Sequence, residues 1–170
     1  GFLNWVWGDA KKAKALLDEG LLIFRDLGDR HGTAWVLNHL CHIAIEQDEP
    51  DLALHLVRES LAIFREIGAD WNVAWDLLNL ANILRARGDD LQALDHENES
   101  LMLFRKMGDQ RGVAWALNHL GGHAMDHQDY ERARNLFDES RALFQEVGDR
   151  WSTVWALREL SRVALAQNDF

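Results

Sequence analysis

Three histidines of this 170-residue chain are spaced four residues apart and are the first candidates for chemistry. His119, His123 and His127 would share one stripe of a helix, with Asp126 next to the last of them. Two histidines at positions i and i+4 can bind one transition metal ion. The residues 40 positions before and after His123 are isoleucine and valine, which favours a packed side chain. We therefore predict that the chain has no metal site.

Other reactive motifs are absent from the sequence. It contains no phosphate-binding loop, no G-x-S-x-G elbow and no H-E-x-x-H motif. Cys41 is the single cysteine, so the chain can form neither an intramolecular disulfide nor a site with paired thiolates. Its counterparts at 40-residue spacing are alanine, glycine and serine, which indicates a small core residue. We predict a protein that is not an enzyme, needs no cofactor and resides in the reducing cytoplasm.

Charge and hydropathy narrow the class of partner. Eighteen basic residues stand against 28 acidic ones, for a formal net charge of −10. Binding to nucleic acid depends on neutralising phosphates, and an anionic membrane attracts basic segments. No apolar run approaches the roughly 20 residues of a membrane span. A protein or peptide is the predicted partner, and neither nucleic acid nor membrane is expected.

The elements that position these residues follow from an internal repeat of 40 residues. A period of this length is typical of helical repeat proteins. The recurring residues are Trp35, Trp75, Trp115 and Trp155; Gly28, Gly68, Gly108 and Gly148; Phe24, Phe64, Phe104 and Phe144; and Leu40, Leu80, Leu120 and Leu160.

Each period holds two stretches with the apolar spacing of an amphipathic helix. The recurring glycine predicts a left-handed residue that ends the second helix, and Asp29, Asp109 and Asp149 after it are candidate caps for the next one. No alternation typical of strands is present. The sequence therefore predicts an all-α fold of antiparallel helix pairs, with helices over 10–27, 32–47, 50–67, 71–87, 90–107, 111–127, 130–147 and 151–167.

The repeat resembles the tetratricopeptide repeat. The family's Leu-Gly step matches Leu120-Gly121, its Gly-Asp turn matches Gly88-Asp89, and its aromatic and alanine early in the second helix match Tyr130 and Ala133. The period of 40 exceeds the family's usual length of roughly 34, and looks like the long-period repeats of bacterial signalling ATPases and transcription regulators. The resemblance implies a right-handed superhelical solenoid that binds partners in a concave groove lined by the first helices.

Domain organisation follows from the same register. We predict a single array over 1–170, with a partial repeat 1–30, repeats 31–70, 71–110 and 111–150, and a partial repeat 151–170. Solenoids need polar caps at their ends, and neither end of this sequence provides one. We therefore expect a fragment of a longer array. Trp5, Trp7 and the apolar face of the last helix predict end-to-end self-association.

The predicted partner-binding surface is the face of the first helices opposite their core stripe. Large aromatic residues beside hydrogen-bonding groups are typical of interaction hot spots. Tryptophans at 40-residue spacing are expected to stand about 10 Å apart, as adjacent helices do, and the arginines are expected to hold ligand carboxylates. The predicted contact residues are Trp35, Trp75, Trp115, Trp155, Trp71, Trp151, Asn38, His42, Asn82, Arg85, Asn118, Arg158 and Arg162.

Three functions remain open at this point. The first is recognition of a protein or peptide, as the sensor or scaffold of a larger bacterial signalling or regulatory protein. The second is sensing of a small inducer, and the third is a structural or self-assembling spacer. A peptide groove should leave tryptophans exposed along several repeats, a small-ligand site should gather them in one pocket, and a spacer should bury them. Packing against the neighbouring helix pair is an equally good explanation for so strict a repetition.

Glu97 is a predicted weak point of the core, because it replaces apolar residues at the equivalent positions of other repeats. Burial of a carboxylate is costly unless the carboxylate is paired. We therefore expect Glu97 to be partly exposed or to meet a cation or donor, with the neighbouring His96 as first suspect. Replacement by leucine should then stabilise the fold.

Overall fold

The protein is described here by a computed structural model that covers the backbone of residues 10–168 and the side chains of residues 12–167. Within that range all regular structure is helical, which confirms the predicted all-α class, and every helix begins and ends within two residues of its predicted bounds. Trp5 and Trp7 lie outside the described residues. The helices are α1 (Ala10–Asp26), α2 (Arg30–Glu46), α3 (Pro50–Glu66), α4 (Asp70–Ala86), α5 (Asp90–Met107), α6 (Gln110–Asp126), α7 (Tyr130–Glu146) and α8 (Arg150–Asn168).

The chain divides into an amino-terminal unit, Gly1–Ile83, and a carboxyl-terminal unit, Leu84–Phe170, with the boundary inside α4. In the amino-terminal unit α2 packs against both α1 and α3. In the carboxyl-terminal unit α5 packs on α6, α6 on α7, and α7 on α8. Because consecutive helices are joined by turns of only two or three residues, the packed pairs are antiparallel, as predicted.

The turns between helix pairs repeat one backbone conformation. Gly28, Gly68, Gly108 and Gly148 have φ between 68° and 72°, the left-handed region that glycine adopts without a steric cost. The turn inside each pair also passes through this region, at Asp48 (φ 58°), Gly88 (φ 84°) and Gln128 (φ 60°). Two of these three positions therefore place a residue with a side chain in a conformation that favours glycine.

Aspartates after the glycines cap the helices that follow, as predicted. The side chains of Asp29, Asp109 and Asp149 each accept a hydrogen bond from the backbone N–H three residues later, at 2.9, 2.9 and 3.0 Å. These bonds satisfy donors that a helix start leaves without an intrahelical partner.

Buried serines join the two helices of a pair at equivalent places in both units. The Ser60 hydroxyl of α3 donates to the Ala34 carbonyl of α2 at 3.0 Å, and Ser140 of α7 donates to the Ala114 carbonyl of α6 at 2.8 Å. The pairs also show complementary side-chain sizes. A Cβ on Gly121 would lie 2.6 Å from the Phe137 ring, so this pair combines the smallest residue with a large one.

The face of α8 that continues the packing pattern of α6 is exposed. Val154, Leu157 and Leu165 are 63%, 44% and 67% exposed. The equivalents of the first two in α6 are Ala114 and Leu117, which are buried where α6 meets α7. Among residues 10–168, no helix combines the length and the apolar composition that crossing a membrane requires.

Candidate functional site

The repeated tryptophans lie on the first helix of each pair and remain partly accessible to solvent. Trp35 of α2 and Trp155 of α8 are 48% and 38% exposed, while Trp75 and Trp115 are half-buried. One turn earlier, Trp71 and Trp151 are 52% and 79% exposed. None of the tryptophans in the described residues is therefore fully buried.

In the amino-terminal unit the aromatic residues of α2 and α4 gather around a cavity of about 420 Å³. Trp71 and Trp75 meet edge to face with ring centroids 5.9 Å apart, and Trp35 meets His39 with centroids 4.0 Å apart. Phe64, from the end of α3, also lines the cavity. A volume of this size is within the range of small-molecule and side-chain binding pockets.

The polar lining of the cavity is amide-rich and contains one carboxylate. Asp76 is 1% exposed, and its Oδ1 accepts a hydrogen bond of 2.5 Å from the Asn38 side-chain amide. No donor among the described residues meets its Oδ2 with hydrogen-bond geometry. Burial raises the pKa of Asp76 to about 6, against the opposing effect of the Ser60 and Asn38 side chains. The polar lining residues are Asn38, His39, His42, Asn72, Asp76 and Asn79.

In the carboxyl-terminal unit the tryptophans contact one another. The ring centroids of Trp115 and Trp155 are 6.4 Å apart, and Trp115 also packs against Phe144 at 5.4 Å. The predicted separation of about 10 Å is therefore wrong for this pair. Helix axes commonly pack about 8–10 Å apart, and long side chains that extend toward each other bring their rings closer than the axes.

A cluster of opposite charges lies beside Trp155. The Arg158 guanidinium stacks on the Trp155 ring at 3.7 Å and donates to Glu159 at 2.6 and 3.0 Å. Arg162 donates to the other oxygen of Glu159 at 2.7 Å. Two arginines, both more than half exposed, thus share a single buried carboxylate, and the cluster retains a net positive charge.

Glu97 is buried and meets a cation, although not the suspected residue. Its side chain has no exposed surface, so of the two expected alternatives the contact with a cation is the one that is found. Its Oε1 lies 3.4 Å from the guanidinium of Arg85, which also pairs with Asp126 at 3.1 Å. His96 instead faces Glu99 at 3.9 Å. Burial raises the pKa of Glu97 to about 7, although Arg85 favours the charged form.

Two histidines of the predicted stripe join this buried cluster. His123 is buried with its Nδ1 3.4 Å from Glu97 Oε2, and its ring stacks on that of His127. His119 is half-buried, and its backbone carbonyl accepts a hydrogen bond from Arg85. Burial and, to a smaller extent, the charge of Arg85 lower the pKa of His119 to about 4. Within the described residues no group of three or more potential ligands is arranged for a metal ion.

The remaining predicted contact residues differ in accessibility. Asn82 is exposed on α4 and His42 is half-buried on α2, where it lines the cavity. Asn118, in contrast, is buried at 8% exposure. Cys41 is buried, and burial together with the nearby Asp76 raises its thiol pKa to about 12, in agreement with a core role.

Sequence reasoning missed Asp76 and Glu159, the two acidic residues that shape these sites. Asp76 occupies a position that is valine or alanine in the other repeats, namely Val36, Ala116 and Ala156. Asp76 could have been identified because it is an acidic residue at a position that is apolar in the other repeats, as Glu97 is. The equivalents of Glu159 in the other repeats are also polar, so this residue does not depart from the repeat pattern and could not be identified in that way.

The sequence of the chain matches the model of one protein family. A family model described as tetratricopeptide repeat matches residues 33–106 and 112–170, which together make up most of the chain. Comparison with curated proteins finds no match.

Solved structures share the fold at low sequence identity. BtubC from P. vanneervenii has a TM-score of 0.72 at 22% identity, over 99% of this chain and 78% of its own. A Rap protein complexed with competence and sporulation factor has a TM-score of 0.80 at 17% identity, over 94% of this chain and 45% of its own.

A third similar structure is a signal transduction ATPase with numerous domains from Pyrococcus horikoshii, which has a tetratricopeptide repeat sensor. Its TM-score is 0.65 at 16% identity, over 98% of this chain and 28% of its own. The chain thus spans less than half of the Rap protein and of the ATPase. At these identities the likeness establishes the fold alone, whereas the family model matches the sequence itself. The chain belongs to the tetratricopeptide repeat family.

Proposed function

We propose that the chain is a non-catalytic module that recognises protein or peptide segments with the aromatic faces of its first helices. One observation carries the proposal: the tryptophans at the repeated position, and those one turn before them, keep accessible ring surface. Trp35, Trp71, Trp151 and Trp155 are all more than a third exposed. Tryptophan offers a large contact area with few rotatable bonds, so a partner gains much from covering it.

The biological setting that we propose is a larger bacterial signalling or regulatory protein in the cytoplasm, with this array as its sensor or scaffold. Two similar structures support this setting. One is a Rap protein in complex with competence and sporulation factor, and the other is a signalling ATPase that carries a tetratricopeptide repeat sensor. Repeats of this family generally serve protein interaction rather than catalysis.

The arginine pair beside Trp155 supports recognition of acidic groups by the carboxyl-terminal unit. Arg158 and Arg162 share the single carboxylate of Glu159, so one positive charge remains to be balanced from outside. A ligand carboxylate fits the planar donor fork of an arginine. Arg85, in contrast, is already paired with Glu97 and Asp126 and is proposed only as a positioning residue.

Small-ligand sensing is a second candidate because the amino-terminal unit gathers three tryptophans around one cavity. A pure spacer has less support, since four of the six tryptophans in the described residues are exposed. The two recognition functions share the surface of α2 and α4 that carries Trp35, Trp71 and Trp75, here called the α2–α4 face. They differ in whether the ligand extends beyond the cavity.

Selection of binders from a random decapeptide display library on the whole chain tests the proposal. Enriched peptides are then titrated by fluorescence polarisation against wild type, Trp35→Ala and Trp151→Ala. Each substitution removes accessible ring surface and should weaken peptides that bind its unit by about 2 kcal/mol, roughly 30-fold. Leu22→Ala and Leu91→Ala are the matched controls, because both side chains are apolar and exposed, at 64% and 82%, outside these faces.

Every variant must keep the helical circular dichroism spectrum of the wild type, so that weaker binding cannot be caused by loss of the fold. Peptides whose affinity is unchanged in both tryptophan variants would contradict the proposal, as would a library that yields no binder. If an enriched decapeptide keeps its full affinity when it is shortened to one or two residues, the small-ligand alternative is favoured.

A further inference from the structure

Two buried carboxylates occupy apolar positions of the repeat, one in each unit, and they differ in how their charge is balanced. Glu97 is accompanied by the guanidinium of Arg85 at 3.4 Å. Asp76 is accompanied by an amide, from Asn38, and by the Ser60 hydroxyl. Among the described residues that line its cavity there is neither lysine nor arginine. The amino-terminal unit therefore holds a carboxylate whose counter-charge the cavity does not supply.

The two histidines of the cavity do not provide that counter-charge. Burial lowers the pKa of His39 and His42, so both rings are neutral at physiological pH. The fold does not require an acid at this position either, since valine or alanine occupies it in the other repeats. An isolated buried carboxylate destabilises a protein unless something pairs with it.

The surroundings of Asp76 are those that favour a cation. Trp35, Trp71 and Trp75 line the same cavity of about 420 Å³. The faces of indole rings attract ammonium and guanidinium groups through their quadrupole. In a site of low dielectric, attraction between a carboxylate and a cation acts over several ångströms, so direct contact with Oδ2 is not required.

We infer that this cavity binds an organic cation, an ammonium or guanidinium group held by the tryptophan faces and the Asp76 carboxylate. The inference rests on the proposed binding role of the α2–α4 face and adds the chemical class of its ligand. The cation has two possible sources, a basic side chain of a peptide or a small free amine. The chemistry is the same, and the experiment separates the sources.

The test uses the whole chain with two pairs of probes, each a cation and a neutral analogue of the same shape. Choline is compared with 3,3-dimethylbutanol for the free-amine source. For the peptide source, Nα-acetyl-arginine amide is compared with Nα-acetyl-citrulline amide. Binding is followed by tryptophan fluorescence and by isothermal titration calorimetry. The variants are Asp76→Asn, Asp76→Val, Trp35→Ala and, as a charge-matched control on the exposed surface of the same unit, Asp48→Asn.

At least one cation should bind at least tenfold more tightly than its neutral analogue. Asp76→Asn and Asp76→Val should both remove this preference, and Asp48→Asn should keep it. Two substitutions at Asp76 are used so that one of them, Asp76→Val, introduces the residue of the equivalent α2 position, which is expected to fold. Preference for choline identifies a free amine as the ligand class, and preference for the arginine derivative identifies a peptide side chain.

Three results would overturn the inference, and they can be told apart. If neutral and cationic probes bind equally and Trp35→Ala abolishes both, the α2–α4 face is a binding site but not for cations. If no probe binds and the peptides selected above are also insensitive to Trp35→Ala, the proposed function of this face fails as well. A cation preference that survives both Asp76 substitutions also overturns it.

Discussion

Replacement of Glu97 by glutamine should stabilise the protein near neutral pH and lose this advantage in mild acid. Glutamine keeps the size of the side chain and its capacity to accept from Arg85, but it removes the charge. Arg85 retains Asp126 at 3.1 Å and is 21% exposed, so the substitution does not leave a buried cation without a partner. The charge that is removed is one that burial disfavours.

The magnitude follows from the pKa of Glu97, which burial raises from 4.5 to about 7. Between those values the folded protein binds the proton more tightly than the unfolded chain, so the free energy of unfolding falls as pH rises. Each pKa unit corresponds to about 1.4 kcal/mol, so Glu97 lowers stability by about 2 kcal/mol between about pH 5 and about pH 7.5.

Other groups titrate in the same pH range, and their contributions to the pH dependence of the free energy of unfolding must be separated from that of Glu97. Asp76, with a pKa of about 6, contributes a fall of the same sign. His119, with a pKa of about 4, contributes the opposite sign, since its folded form prefers to be neutral and stability rises with pH up to the ordinary value of 6.5. The difference between Glu97→Gln and wild type cancels the contribution of Asp76 and leaves that of Glu97 together with its contact to His123.

Urea unfolding at about pH 5 and about pH 7.5 measures this difference. We expect Glu97→Gln to gain about 2 kcal/mol relative to wild type on going from the lower to the higher pH. Glu131→Gln, an exposed carboxylate on α7, is the control and should show no such gain. A difference between Glu97→Gln and wild type that is equal at both pH values would refute the reasoning. Glu97→Leu, which restores the apolar register, should be at least about 1 kcal/mol more stable than wild type at the higher pH.

Three further predictions concern the repeat itself. Gly121→Ala should destabilise the protein by about 1–3 kcal/mol in urea unfolding because the new Cβ would lie 2.6 Å from Phe137. Gly121→Cys combined with Phe137→Val introduces the pair found at the equivalent positions of the amino-terminal unit, Cys41 and Val57, and should cost less than the sum of the single changes. Strict additivity of the two free-energy changes would count against size complementarity. Gln128→Gly should raise stability and Gly88→Gln should lower it, each by about 1 kcal/mol, because φ is 60° and 84° at these positions and glycine is favoured at positive φ. If the two variants shift the melting temperature in the same direction, this prediction is wrong. The exposed face of α8, with Val154, Leu157 and Leu165, should cause end-to-end association. The mass measured by sedimentation should therefore rise with concentration for wild type and for the control Leu91→Glu, but not for the double variant Leu157→Glu/Leu165→Glu. A wild type that stays monomeric would show the prediction to be wrong.

Helix positions could be predicted closely because each is encoded four times at a fixed interval. Chance similarity at Trp35 is weak evidence, but agreement at 40, 80 and 120 residues further on is strong. The turn glycines and capping aspartates were found for the same reason, since their chemistry depends on the local backbone alone.

The candidate site was predicted less completely because its contacts depend on side chains from different helices. The partner of Glu97 is Arg85, 12 positions earlier on the preceding helix, whereas sequence proximity had suggested His96. Likewise, the predicted spacing of tryptophans used helix axes and ignored the length of the indole side chain, which brings Trp115 and Trp155 within 6.4 Å. The sequence showed which positions depart from the repeat, but not which neighbour each one meets.

The identical glycine turns make one period of the chain an exchangeable cassette. Because Gly108 and Gly148 have the same left-handed backbone, with φ of 71° and 72°, the chain leaves both turns in the same direction. Excision of the 40 residues 109–148 would join α5 to α8 through an unchanged turn, and a tandem duplication would need no new loop. In genetic terms, unequal crossing-over between copies of this repeat changes the gene by whole periods and keeps the reading frame, since 40 codons are inserted or lost together.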